Sequence, residues 1–187
     1  ARAAQALGAT RTVALPEAAR ARAAAFVMTA VEGANLHLHD LRTRAQDFEP
    51  LSRDRLLAGA LIPASWYTQA QRFRRWYRDE VMKLFADVDV LLAPATPCGA
   101  TLVGQESMTI GGADMLVRAN MGMLTQPISF IGLPVVAAPV RQPGRMPVGV
   151  QIIAAPWRED HCLRVAAALE AQGIAVCAPF IPTERRP

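Results

Sequence analysis

With 187 residues, 52% of them hydrophobic and 19% charged, the chain is long enough to bury one sizeable core and too apolar to stay disordered. Its net charge of +4 comes from basic residues that are all Arg except Lys83, that alternate with Asp and Glu, and that are not interleaved with aromatics, which argues against nucleic-acid binding as the main role. No apolar run approaches the ~18 residues that would span a bilayer, and the scattered Cys98, Cys162 and Cys177, with no CxxC pair, fit a reduced cytoplasmic protein.

The opening ARAAQALGAT has no Met and no signal-type apolar core, and reads as a helix entered partway along a longer protein. That helix runs over Ala1–Leu7, with Gly8 as its stop. Thr12–Leu15 is a short strand candidate. Pro16 and Glu17, in a first turn, open a long helix over Glu17–Leu41, whose apolar positions are Phe26, Val27, Ala30, Val31, Ala34 and Leu38. Phe48–Pro50 breaks it, and Ser52 is placed to cap a short helix over Arg53–Ala60. Pro63 and Ser65 lead into a second long helix, Ala64–Phe85. Its basic side carries Arg72, Arg75 and Arg78, and its apolar side Trp66, Phe73, Tyr77, Val81 and Leu84.

Val88–Ala93 reads as a buried strand ended by Pro94 and Pro97. Residues 98–119 lack periodicity and are expected to form a long loop, and Asn120–Ile131 one or two helical turns. Two apolar, β-branched runs follow, Leu133–Val140 and Val148–Ala155, joined by the polar turn Arg141–Pro147 with Gly144 inside it. They read as neighbouring buried strands. Arg158–Ala171 is a closing helix with Glu159 and Asp160 in its first turn and Gly173 past its end, and Ile174–Val176 a last short strand. Without internal repeats or linkers, residues 1–187 read as a single α/β domain or part of one.

Few residues invite chemistry. His37 and His39 lie two apart in a helix, so they point about 160° away from each other and cannot chelate one ion together. His161, in a helix first turn, reads as a surface or capping residue. Ser52 and Ser65 read as helix starts, and Ser107 has no Gly-x-Ser-x-Gly setting. Ser129, near a strand start, is positioned to face a pocket, but no His or Lys stands beside any of them in sequence. Cys98 sits where a strand runs out into a loop and reads as a small hydrophobe rather than a nucleophile. Arg74 lies in YTQAQRFRRWYRDE, whose Arg and Tyr donors suit a carboxylate or amide ligand as well as a solvated basic face.

Three blocks, read in order, carry a resemblance. They are Tyr67–Tyr77 leading into DVDVLLAPATP at Asp87–Pro97, then ANMGMLTQPISFIGLP ending at Pro134, then PVGVQIIAAPWRED at Pro147–Asp160. Together they resemble the C-terminal half of amidase-signature enzymes, from near the first residue to about Phe180. The family commonly has Pro-Thr where Ala95-Thr96 follows Pro94, and Asn where Ser129 stands. The opening LPEAARARAAAF, GALIPASWYTQAQRFRRWY and TQPISFIGLPVV look closest to the carboxybiuret-hydrolase-like branch, which is related to the amidase-type subunit of glutamyl-tRNA amidotransferase.

The resemblance implies the C-terminal portion of the amidase-signature fold, a mixed central sheet flanked by helices. It implies C–N bond cleavage in small linear amides or urea-type compounds, with no cofactor. Family members work with a Ser–cis-Ser–Lys triad, in which Lys deprotonates the bridging Ser that activates the nucleophile. The sequence has no Gly-Gly-Ser-Ser-Gly-Gly stretch and Lys83 does not match the family's Lys, so the expectation is a domain lacking its catalytic half and inactive alone. By the same resemblance Arg74 contacts a substrate carboxylate, Tyr67 is its weaker neighbour, and Asn120, Thr125 and Gln126 line the cavity. Met121, Gly122 and Met123 stand where the amidotransferase has an acidic residue, which argues against an amino-acid substrate. A small accessory subunit or a second copy is the partner such a chain would take. The rival readings are the amidotransferase subunit itself and a non-catalytic binding or assembly protein.

Overall fold

The computed structural model describes residues 1–142 and 144–177. Pro143, in the expected turn, and Ala178–Phe180, at the end of the resemblance, lie outside the described residues. In chain order come α1 (Arg2–Ala6), α2 (Ala18–Leu36), α3 (Leu38–Thr43), α4 (Pro50–Ala60) and α5 (Ala64–Met82). Then follow β1 (Val90–Pro94), β2 (Ser107–Ile110), β3 (Ala113–Leu116), α6 (Val117–Asn120), α7 (Gln126–Ser129), β4 (Val135–Gln142), β5 (Arg145–Ala154) and α8 (Glu159–Ala171). They fall into two compact units. A helical unit comprises Val13–Asp87 and Thr125–Gly132, and a sheet unit comprises Ala1–Thr12, Val88–Leu124 and the residues from Leu133 on.

In the helical unit, α2 is Ala-rich, which favours helix, and it buries Ala21, Ala25, Met28, Ala30 and Ala34. Phe26, expected inside, is 43% exposed and lies under the Arg55 guanidinium, 4.3 Å from its ring centre. The reason is close packing. Gly59 of α4 sits against α2 so tightly that a Cβ there would overlap the Ala30 carbonyl. An interface this near admits alanine and excludes a ring. The helix expected through Leu41 is interrupted at His37 (φ −101°, ψ 12°) and resumes as α3.

Helix starts differ from the expected ones in instructive ways. Glu49, not Ser52, caps α4: its carboxylate accepts from the Ser52 backbone N–H at 2.8 Å, and Pro50 occupies the first turn, where its missing N–H costs nothing. Glu17 precedes α2 as its N-cap with φ 51° instead of lying in the first turn. Thr12–Leu15 forms no strand, since nothing pairs with it among the described residues. On α5 the buried stripe is Ala70, Tyr77 and Val81, while Trp66, in the first turn, is 59% exposed. Arg72, Arg75 and Arg78 are exposed, as the sequence implies.

The sheet unit is built on three antiparallel strands in the order β1-β5-β4, with Leu92 and Val136 both in register with Ile152. The two apolar runs are therefore neighbours, as expected, and the chain reverses between them at Gly144 (φ +70°). Helix α8 covers the sheet through Cys162 and Leu169, packed with Ala138, Val140, Ile152 and Ala154. Residues 98–119 are not all loop: β2 and β3 pair as a hairpin across Gly111 and Gly112, whose φ of +59° and +82° fit a two-residue primed turn. The last strand, expected at Ile174–Val176, is reduced to one bridge between Ala175 and Val140.

Candidate functional site

Helices α2, α5 and α7 enclose a cavity of about 170 Å³ in the helical unit, lined among others by Met28, Glu32, Arg74, Gln126, Ser129 and Phe130. The half-buried Arg74 guanidinium lies 5.9 Å from the Phe130 ring centre and, among the described residues, makes no ion pair. Arg22 Nε donates to Gln126 Oε1 at 2.9 Å, which turns the amide so that its NH₂ is the group left to donate to a ligand. Ser129 Oγ donates to the Gln126 carbonyl at 3.3 Å. Across from these donors, the Glu32 carboxylate accepts from Tyr67 OH at 2.9 Å, and Tyr67 OH in turn accepts from Gln71 Nε2 at 2.9 Å. The cavity thus carries one positive and one negative group on rigid helices over an apolar floor of Met28 and Phe130, a suitable arrangement for a small anion that also bears N–H groups.

Under this floor Tyr77 stacks on Phe73 and lies 6.3 Å from the Phe130 ring centre. Its hydroxyl is buried without a hydrogen-bond partner, and burial pushes the phenol up to about 12.

Of the residues expected at the site, Arg74 and Gln126 line the one cavity. Tyr67 lines a neighbouring apolar cavity of about 240 Å³ with Leu38 and Ile62, and reaches the first through its bond to Glu32. Thr125 caps the start of α7, its carbonyl accepting from Ile128 and Ser129 N–H. Asn120 belongs to the sheet unit, where its side chain donates to the Leu116 carbonyl at 2.9 Å. Glu32 and Arg22 escaped the sequence reading. The stride Ala25–Met28–Glu32 on α2 marks the shared face, and following it past the apolar positions would have found the acid.

The sheet unit explains the Pro-Val-Gly-Val-Gln string. Gly149 faces Ala95, whose Cβ would lie 2.8 Å from one added to the glycine. Gln151 is 2% exposed, and its amide donates to the carbonyls of Pro94 (2.8 Å) and Leu124 (3.1 Å). His161 is not on the surface, as expected, but nearly buried. It contacts Arg158, and its ring nitrogens lie 3.7 Å from Asp89 and from Asp160. Desolvation would raise the Asp160 carboxyl, but the Arg164 hydrogen bond and the charges of His161 and Arg158 outweigh it and hold it below the usual carboxylate range. Burial, the largest effect on it, pushes the Cys162 thiol up. His37 packs edge-on against Phe48, and Lys83 pairs with Glu80 at 2.7 Å. Among the described residues no three His, Cys, Asp or Glu gather as a metal site, and no helix is long and apolar enough to cross a membrane.

The structure is an α/β protein with a cavity set on helices of its helical unit. The amidase family model matches residues 4–163, and the chain belongs to the amidase-signature family. It is 56% identical over 172 residues to AtzE, the 1-carboxybiuret hydrolase subunit of Pseudomonas sp. (strain ADP), covering 90% of this chain and 37% of that protein. A glutamyl-tRNA(Gln) amidotransferase subunit from Rhizorhabdus wittichii is 34% identical over 145 residues, covering 74% and 28%. A solved structure described as an inhibitor-bound vestigial protein complex, revealing the evolutionary origins of an s-triazine catabolic enzyme, superposes with a TM-score of 0.90 at 55% identity, covering 93% of this chain and 38% of that one. The chain therefore spans well under half the length of the relatives it matches.

Proposed function

We propose that this chain supplies the substrate-binding wall of an amidase-type hydrolase that cleaves a carbon–nitrogen bond in small linear amides or urea-type compounds carrying a carboxylate. One observation carries the reading: Arg74 sits in a cavity with no carboxylate of the chain paired to it among the described residues. A forked guanidinium without an internal partner binds a ligand carboxylate in a bidentate, charge-assisted pair. The Gln126 NH₂ adds a hydrogen bond to the same anion, and Glu32 accepts from a ligand N–H on the other side. The Ser–cis-Ser–Lys chemistry of the family, which needs no cofactor, is assigned to a part of the protein other than residues 1–187, since the sequence has no Gly-Gly-Ser-Ser-Gly-Gly stretch. Residues 1–187 are, in this reading, a single partial amidase domain.

The 56% identity to a 1-carboxybiuret hydrolase subunit supports a carboxylated, urea-type substrate over other amides. A relative solved within a protein complex supports partnership with a small accessory subunit, and free Cys98, Cys162 and Cys177 support a cytoplasmic setting. A second reading, the amidase-type subunit of a tRNA-dependent amidotransferase, is favoured by Glu32, because an acid opposite Arg74 also suits an amino-acid ammonium group. Met121–Met123 at the family's acidic position weighs against it.

The test is an assay of the intact enzyme with paired carboxylated and neutral amides. Arg74→Ala should raise KM for the carboxylated one by ~10-fold or more, as loss of a charge-assisted bond implies, and leave the neutral one little changed. Equal effects on both would remove Arg74 from carboxylate binding. Turnover of glutamine with ammonia transfer would favour the second reading.

A further inference from the structure

In the sheet unit two methionine sulfurs approach one cysteine sulfur, on residues to which the proposed function gives no contact with substrate. Cys98 Sγ lies 3.7 Å from Met108 Sδ and 3.9 Å from Met121 Sδ. They come from the segment after β1, from β2, and from just beyond α6, so tertiary folding makes the cluster rather than adjacency in sequence. Thr96 Oγ1 donates to the Cys98 carbonyl at 2.7 Å and fixes the loop there. Met108 is buried, whereas Cys98 and Met121 are half-buried, so an ion can reach the thiol.

We propose that Cys98, Met108 and Met121 bind one soft monovalent cation, copper(I). Thiolate and thioether are soft ligands that select copper(I) over harder ions. Three sulfurs around one ion, each at a metal–sulfur distance of about 2.3 Å, stand about 4.0 Å apart, and both measured separations from Cys98 come within a few tenths of an ångström of that. One thiolate and two thioethers around a +1 ion make a neutral site, so partial burial carries no penalty for a net charge. Zinc would leave a net positive charge there and draws four Cys, His or carboxylate ligands, of which no three gather among the described residues. Binding replaces the Cys98 S–H bond with S–Cu. The proton leaves to solvent, copper stays +1, and no electron is transferred.

Sulfur packing alone would give the same contacts without metal affinity, and anaerobic titration of the purified protein with copper(I) against a chromogenic copper(I) chelator separates the two. One equivalent per chain should bind, with a thiolate-to-copper absorption band. Cys98→Ser should abolish it, and Met121→Leu, which keeps the bulk of a half-buried side chain, should weaken binding at least about tenfold with an unchanged circular dichroism spectrum. Cys177→Ser, at an exposed thiol, should leave the stoichiometry intact. No bound equivalent, equal affinity in Met121→Leu, or loss of binding in Cys177→Ser would each overturn the proposal.

Discussion

The helical unit closes its contact between α2 and α4 with the smallest side chains, keeping large ones for Tyr77, Val81, Ile128 and Ile131, whereas the sheet unit fills its interior mainly with branched ones. Ala21, Ala25, Ala30, Ala34, Ala70 and Gly59 are buried in the first, while Ile152, Ile153 and Leu169 are the most buried apolar side chains of the second. Alanine and glycine let helix backbones approach until almost nothing fits between them. The space that remains in the unit is where longer side chains splay apart, and there Glu32, Arg74 and Gln126 meet. In the sheet unit, strand register and branched side chains fix the interior, and one of its buried polar groups, Gln151, ties backbone to backbone. One unit is suited to hold an organic anion on rigid helices; the other binds its own chain together through Gln151 and strand register.

The close helix contact is the place to break this comparison most severely. Gly59→Val should destabilise the protein by about 3 kcal/mol, the upper end of overpacking costs, because the obstacle is the Ala30 backbone, which cannot rotate away. Chemical denaturation measures it, and a loss below about 1 kcal/mol would show that α2 and α4 are not held this closely.

Next comes Tyr77. With its phenol pushed up to about 12 against about 10 in the unfolded chain, the fold favours the neutral form. Its contribution is complete below pH 10 and is lost as the pH rises from 10 to 12, for a fall of about 2.5 kcal/mol. Comparing denaturation of the unaltered protein and Tyr77→Phe across pH 9–12 isolates this group. At neutral pH Tyr77→Phe should cost little, because the hydroxyl has no partner to lose.

In the sheet unit, Gln151→Leu leaves the Pro94 and Leu124 carbonyls without their donor, and about 2 kcal/mol of stability should go with it. Gly33→Ala is the mild counterpart to Gly59. Its new methyl would meet only the end of the Leu56 side chain, so helix propensity and crowding should cancel to within about 0.5 kcal/mol.

The strands of the sheet were legible because each is a short β-branched run bounded by Pro or Gly, and the register of β4 on β5 follows from their adjacency. The hairpin at β2 and β3 was missed although Gly111-Gly112 is a turn signal. Its strands are only four residues long and mostly exposed, and the alternation in β2 (Ser107-Met108-Thr109-Ile110) has no counterpart in β3. Helix positions were legible and their buried faces were not. Apolar spacing selected Phe26 and Trp66, but the close contact at Gly59 admits only alanine on the facing part of α2, and Trp66 stands exposed in the first turn of α5. Arg74 was visible as a donor on α5, but Glu32 became part of the cavity only through the side-by-side packing of α2 and α5, which no local pattern encodes.

The central claim is that the helical unit selects the substrate while the sheet unit supports the chain. The direct measurement is the ratio of kcat/KM for a carboxylated amide to that for a neutral amide of the same shape, in Arg74→Ala and Gln151→Leu of the intact enzyme side by side. The account expects that ratio to fall ~10-fold or more in Arg74→Ala with the denaturation midpoint unmoved, and to stay constant in Gln151→Leu while the midpoint drops. A ratio that is unchanged in Arg74→Ala, or that falls equally in both variants, would contradict it.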